Sequence, residues 1–137
     1  MDDKTFLKVI QEHGMGKDLI LSTQEFEEFD ASDGKIIVEF KHRGEDYAEQ
    51  MVEATKIFSN YHYAQKVGKR FFFVVITPKR MVVWDVGDYL ENTRAGKVTF
   101  DKMTLPSNQH REKGKNINKF VHFIPVQYAV KVVNLKK

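Results

Sequence analysis

Hydrophobic and polar positions follow several different rhythms along this chain, and each rhythm predicts an element. Phe6, Leu7 and Ile10 recur at helical spacing, predicting a helix over residues 3–13 with Asp3 as N-cap and Gly14 where a glycine closes a helix. Gly14, Met15, Gly16 and Lys17 follow as a turn whose spacing does not match a phosphate-binding loop. Residues 19–22 read as a short strand. Residues 25–32 and 35–41 read as two more, joined by Asp33-Gly34, a dipeptide that favours hairpin turns. Tyr47, Met51, Ala54, Phe58 and Tyr61 recur at spacings of four and three, predicting a long helix over 46–65. Residues 71–77 are apolar on both faces, as a central strand requires. Pro78-Lys79 turns the chain into a strand over 80–86. Asp88 to Glu91 has the capping-box pattern of a short helix with Asp88 as N-cap. Residues 107–118 are polar, basic and without period, hence a loop, and 120–124 and 126–133 read as closing strands. The order predicts one α/β domain over residues 1–137, a central mixed β-sheet flanked by helices.

The hairpin has a consequence beyond its fold. With a two-residue turn Ser32 faces Lys35, which puts Asp30 opposite Ile37 and Glu28 opposite Glu39. Alternation then gathers Glu28, Asp30, Glu39 and Lys41 on one face, and Phe29, Ala31, Ile36, Val38 and Phe40 on the other. A four-residue turn keeps this parity; a three-residue turn would abolish it. Like charges across a strand pair are destabilising, and a divalent cation is the natural compensation because Mg²⁺ prefers carboxylate oxygens and water. A rival reading makes this face a solvated polar surface.

Composition narrows the chemistry. The 137 residues are 42% hydrophobic and 30% charged, a globular balance, and contain no cysteine. Disulfides, thiolate metal sites and cysteine nucleophiles are therefore excluded. No secretory signal is visible at the start, and the longest apolar run, residues 71–76, is too short to span a bilayer. A soluble, cytoplasmic protein without membrane association is the expectation. The net charge of +3 hides an asymmetry: residues 1–68 hold 8 of the 22 Lys/Arg and 14 of the 19 Asp/Glu, leaving 14 and 5 for residues 69–137. An acidic region beside a basic one suits an enzyme that holds divalent metal and a nucleic-acid backbone. The five histidines show no paired ligand spacing for zinc, and no nucleophile elbow surrounds a serine.

At the hairpin, "FDASDGKIIVEFK", the sequence resembles the PD-(D/E)xK nuclease superfamily: Asp30, eight residues, then Glu39-Phe40-Lys41. The hairpin parity, the helix after it and the Phe-rich strand beyond extend the resemblance over roughly residues 3–86; Phe29 stands where the family pattern has proline. The resemblance implies a restriction-endonuclease-like fold and Mg²⁺-dependent hydrolysis of DNA phosphodiester bonds, with Mn²⁺ able to substitute. Asp30, Glu39 and the Phe40 carbonyl would hold the metal, and Lys41 would orient the attacking water and offset phosphate charge.

Other residues are candidates of lower standing. Glu28 and Glu12 are candidate extra ligands, each with a surface role as its rival. Gln50, placed on the predicted helix after the motif, is a candidate auxiliary residue. His42 and Arg43 follow the motif directly, and Arg111, Lys113, Lys115 and Lys119 lie in or beside the basic stretch; all six are candidate nucleic-acid contacts. The expected enzyme is a small endonuclease, resembling Holliday-junction resolvases in size and basic charge, acting on branched or duplex DNA as a homodimer. The alternatives are a restriction- or replication/repair-type nuclease of the same superfamily, and an inactive nucleic-acid-binding or assembly protein on this fold.

Overall fold

The computed structural model describes residues 1–23, 29–92, 101–106 and 116–135, with side chains omitted for 92, 101–106 and 116–119. The chain runs α1 (Asp3–Glu12), β1 (Ile20–Leu21), β2 (Ala31–Ser32), β3 (Ile36–His42), β4 (Glu49–Glu53) and α2 (Ala54–Val67). It continues through β5 (Arg70–Ile76), β6 (Arg80–Asp85), α3 (Val86–Asn92), β7 (Asp101–Pro106), β8 (Asn116–Pro125), a 3-10 turn (Val126–Tyr128) and β9 (Lys131–Asn134). Six strands form a mixed sheet in the order β1-β2-β3-β5-β6-β9, and three form a second sheet, β4-β8-β7. The α/β class with a mixed central sheet flanked by helices is thus as the pattern predicts. No helix among the described residues is long and apolar enough to cross a membrane.

Strand β5 explains why the sheet needs helices on both faces. Phe72, Val74 and Ile76 point to one side, where they meet Phe6 and Ile10 of α1 together with Ala31, Val38 and Phe40. Phe71, Phe73 and Val75 point to the other, where Ile37, Trp84, α2 and α3 close over them. A strand apolar at every position is stable only when both faces are covered. Phe6 and Phe40 stack with ring centroids 4.2 Å apart, fixing α1 against β3. The parallel pairing of β3 with β5 requires a crossover, and α2 supplies it.

Several expectations need correction. The 46–65 helix divides: residues 49–53 form β4, paired antiparallel with β8 from Glu49–Pro125 to Glu53–Val121, and α2 starts only at Ala54. Of the predicted stripe, Ala54 is buried and Tyr61 packs against the core, but Ile57, Asn60 and Ala64 complete the buried face, and Tyr47 and Phe58 are exposed. Asp2, not Asp3, caps α1 by accepting from the Thr5 N–H at 2.9 Å. Likewise α3 begins at Val86, and Asp85 accepts from the Asp88 N–H at 3.1 Å, so Asp85 is the capping residue. Of the described part of the predicted 25–32 strand, residues 29–32, Ala31–Ser32 is strand; residues 24–28 lie outside the described residues. Asn116 to Asn118, assigned to a loop, pair with β7, and residues 126–128 form the 3-10 turn.

Candidate active site

The turn after β2 sets the register of the site. Ala31 pairs with Val38 and Ser32 with Ile37, which leaves four residues, 33–36, between the paired positions, Ile36 already belonging to β3 through its pairing with β5. The Asp33 carboxylate stabilises that loop by accepting from the N–H groups of Lys35 at 2.7 Å and Ile36 at 2.8 Å. The predicted two-residue turn is therefore replaced by the four-residue form, which slides the register by two and keeps its parity. Ile37 therefore lies opposite Ser32, and Asp30, just before the paired residues, comes beside Glu39, the neighbour predicted to be Glu28.

The regular ladder breaks at Asp30, whose hydrogen bonds depart from the register of the paired residues. The Asp30 N–H donates to the Val38 carbonyl at 2.9 Å, and Asp30 Oδ2 accepts from the Phe40 N–H at 2.8 Å. Asp30 thus continues the ladder with its side chain where β2 ends. In an extended strand one residue's N–H and C=O point the same way, so the Phe40 carbonyl also faces this vacated edge. Phe29 corrects another expectation. It lies in a bend outside the strand alternation and stacks on Tyr63 of α2, with centroids 5.6 Å apart, on the opposite face from Ala31.

Glu39 and Lys41 lie on the α2 side of β3, in line with Ile37, whose side chain is fully buried there. The carboxylate face is therefore the margin of a packed core, not a solvated surface. Glu39 is 6% exposed, and Lys41 Nζ stands 3.8 Å from its Oε2. Burial, and then the neighbouring Asp30 carboxylate, push Glu39 up to about 8 against the opposing pull of Lys41 and Lys56. Asp30 is also raised, by burial above all, while the Phe40 N–H, Lys41 and Lys56 pull it down and Asp3 adds to the rise. The pair therefore retains a proton near neutral pH, as two buried carboxyl groups side by side must.

This donor set suits a hard cation. Two carboxylates and a carbonyl offer only oxygen, and Mg²⁺ is commonly held by one or two carboxylates with water completing its shell. Among the described residues no group of three or more His, Asp or Glu side chains assembles into a metal cage. The residues present fit Mg²⁺ or Mn²⁺ held by Asp30, Glu39 and the Phe40 carbonyl.

Other predicted residues lie elsewhere. Glu12 is exposed at the C-terminal end of α1, about 14 Å along the helix from Asp3, the α1 carboxylate that does influence Asp30. Gln50 is buried on β4, where its amide donates to the Glu45 carbonyl at 3.2 Å. With Arg43, Tyr47 and Arg80 it lines a cleft of about 1010 Å³ that Asp30, Glu39 and Lys41 do not border. His42 is exposed at the end of β3. Arg43 is turned inward: one guanidinium nitrogen donates to the Met51 carbonyl at 3.0 Å, its Nε is buried without a hydrogen-bond partner, and burial lowers its pKa. That geometry ties Arg43 to β4, half-buried in the wall of the same cleft. Glu28, Arg111, Lys113 and Lys115 fall outside the described residues, as does the side chain of Lys119.

Lys56 and Asp3 act on the carboxylates but were not distinguished in the sequence. Lys56 lay inside a helix predicted in the wrong register, and no local spacing ties either residue to the hairpin. Compared with protein-family models and with curated proteins, the chain matches none.

Proposed function

We propose that the protein is a metal-dependent nuclease that hydrolyses DNA phosphodiester bonds, with Asp30, Glu39 and Lys41 as its catalytic residues. The observation that carries this reading is the burial of Asp30 beside Glu39, with the Lys41 ammonium 3.8 Å from Glu39. The succession of hairpin, crossover helix and Phe-rich strand parallel to β3 is the one the PD-(D/E)xK resemblance implies, and it supports a restriction-endonuclease-like fold.

Mg²⁺ bound there would supply Lewis acidity to a phosphoryl oxygen and make a nearby water more acidic. The chain's own residues prepare for this in three ways. Asp30 is fixed by the Phe40 N–H, so one of its oxygens has a set position. Glu39, raised to about 8, gives up its proton when a cation replaces it. Lys41, with a side chain 38% exposed, reaches solvent from the same strand face and can orient water and offset negative charge on the phosphate.

Within this reading the substrate is branched or duplex DNA, with a structure-specific, junction-resolving endonuclease as the finer proposal. It would act as a homodimer, whose two sites would cut two strands. The test is cleavage with Mg²⁺, and with Mn²⁺, of a four-way junction, a flap, a linear duplex and a single strand, beside Glu39→Ala and Lys41→Ala. Loss of cutting in both variants is the expected result. Undiminished cutting by both would remove the site assignment, and no cutting of any substrate by the parent would favour a binding protein.

A further inference from the structure

Lys56 stands out among the basic residues because the fold carries it to a site that its sequence position does not suggest. The residue is partly buried in the first turn of α2. Since α2 links two parallel strands, it runs back against β3, which sets its N-terminal turn toward the end of β3 that bears Lys41. Its rotation about its own axis is fixed by packing: Ile57 and Ala64 enter the core, and Tyr63 stacks on Phe29, the neighbour of Asp30. Lys56 precedes Tyr63 by seven residues, two turns along the same stripe, and so faces the edge of the sheet where Asp30 and Glu39 lie. The charge of Lys56 lowers both carboxyl groups, as that placement requires.

Two lysines thus reach the carboxylate pair from different elements, and they are not equivalent. Lys41 Nζ stands 3.8 Å from a Glu39 carboxyl oxygen, whereas Lys56 comes within 4.0 Å of no carboxylate oxygen among the described residues. A lysine near a carboxylate pair, yet not closed onto it, is placed to take an external anion. We propose that Lys56 binds a phosphate oxygen of the substrate strand at this site, so that a phosphodiester is held between a lysine of β3 and a lysine of α2. This rests on the nuclease reading above, because the anion is taken to be the backbone of the DNA being cut.

The experiment compares the parent with Lys56→Met, Lys56→Arg and Lys66→Met, the last replacing an exposed lysine on the same helix. Binding of a labelled DNA duplex and a labelled single strand is followed by fluorescence anisotropy in Ca²⁺ over about 50 to 200 mM salt, beside Mg²⁺-dependent cleavage and thermal melts across pH. Lys56→Met is expected to bind about tenfold more weakly, with a salt slope shallower by about one. Its cleavage should suffer mainly in KM, Lys56→Arg should recover most of the loss, and Lys66→Met should match the parent. If Lys56→Met binds DNA as the parent does, the proposal is overturned, and a moved pH dependence of melting would then show that Lys56 only compensates the carboxylates. That result with a cleaving parent leaves the nuclease reading standing. A parent that neither binds nor cuts any DNA overturns both.

Discussion

Glu39→Gln removes one ionisation from the core margin while keeping the size of the side chain, and its effect on stability can be worked out. Glu39 ionises at about 8 in the folded chain, against 4.5 for an ordinary glutamate. Its folded pKa is raised, so between those values the folded state holds a proton that the unfolded chain has lost. Stability is then highest at the acidic end of the window, falls as pH rises toward 8, and is level above it. The full difference is worth up to about 5 kcal/mol, with more than half of it lost by pH 7. Such a term rivals the whole stability of many small domains. Asp30, also raised, contributes in the same direction. At about 3–5 °C per kcal/mol for a chain of this size, the parent should melt lower at pH 9 than at pH 5, by up to about 15 °C. Glu39→Gln should flatten most of that slope and exceed the parent above pH 8. Thermal melts followed by circular dichroism from pH 5 to 9 provide the measurement. Parallel pH curves for parent and variant would refute the argument, since they would mean that Glu39 carries no raised pKa. Added Mg²⁺ gives a second reading: it should stabilise the parent increasingly as pH rises and leave Glu39→Gln unmoved.

Further outcomes follow from the same contacts. Asp30→Ala leaves the Phe40 N–H without its acceptor at a part-buried position, at a cost of about 1–3 kcal/mol in denaturant titration, whereas Asp30→Asn keeps an acceptor oxygen and should cost less. Both should lose Mg²⁺ binding by calorimetry; retention by either would remove Asp30 from the ligand set. Phe6→Ala empties a 2% exposed position stacked on Phe40 and should cost about 3–5 kcal/mol, with cleavage falling as well because Phe40 stands between Glu39 and Lys41. Asp85→Ala removes the α3 cap and the partner of Arg70, and should cost about 1–3 kcal/mol in melting while leaving cleavage unchanged below the new melting range.

How much of this was legible in the sequence depended on the range over which each decision is made. The side-chain face of Glu39 and Lys41 follows from strand alternation alone, and Asp33-Gly34 marked the turn correctly. Its length was not legible, because the Asp33 side chain can stabilise a four-residue loop as readily as the dipeptide favours a two-residue one. Parity survived only because the difference was even. The apolar run of β5 was legible because burial on both faces leaves no alternation to misread. Residues 46–53 were not. Ala48, Glu49, Gln50 and Met51 favour a helix locally, yet they pair with a strand some seventy residues further on, and tertiary pairing overrides local preference.

The same distinction explains the two ends of the candidate site. Gln50 was assigned to it from a helical register that does not exist, and the β4–β8 pairing carries its side chain to a different cleft. Glu12 was assigned from the right helix at the wrong end, because only the packing of α1 on Phe40 decides which turn approaches Asp30. Lys56 shows the converse: it is absent from the motif and brought in by the crossover between β3 and β5. A hairpin can specify the carboxylates because they are nearest neighbours across one turn. The cations that would complete a phosphodiester site must come from outside the carboxylates' own strand pair or lie beyond them along it, since a third like-facing position within the pair would sit in the core where Ile37 does. Lys41 takes the second route and Lys56 the first, so a search for such sites in unfamiliar chains should scan the crossover helix as well as the motif.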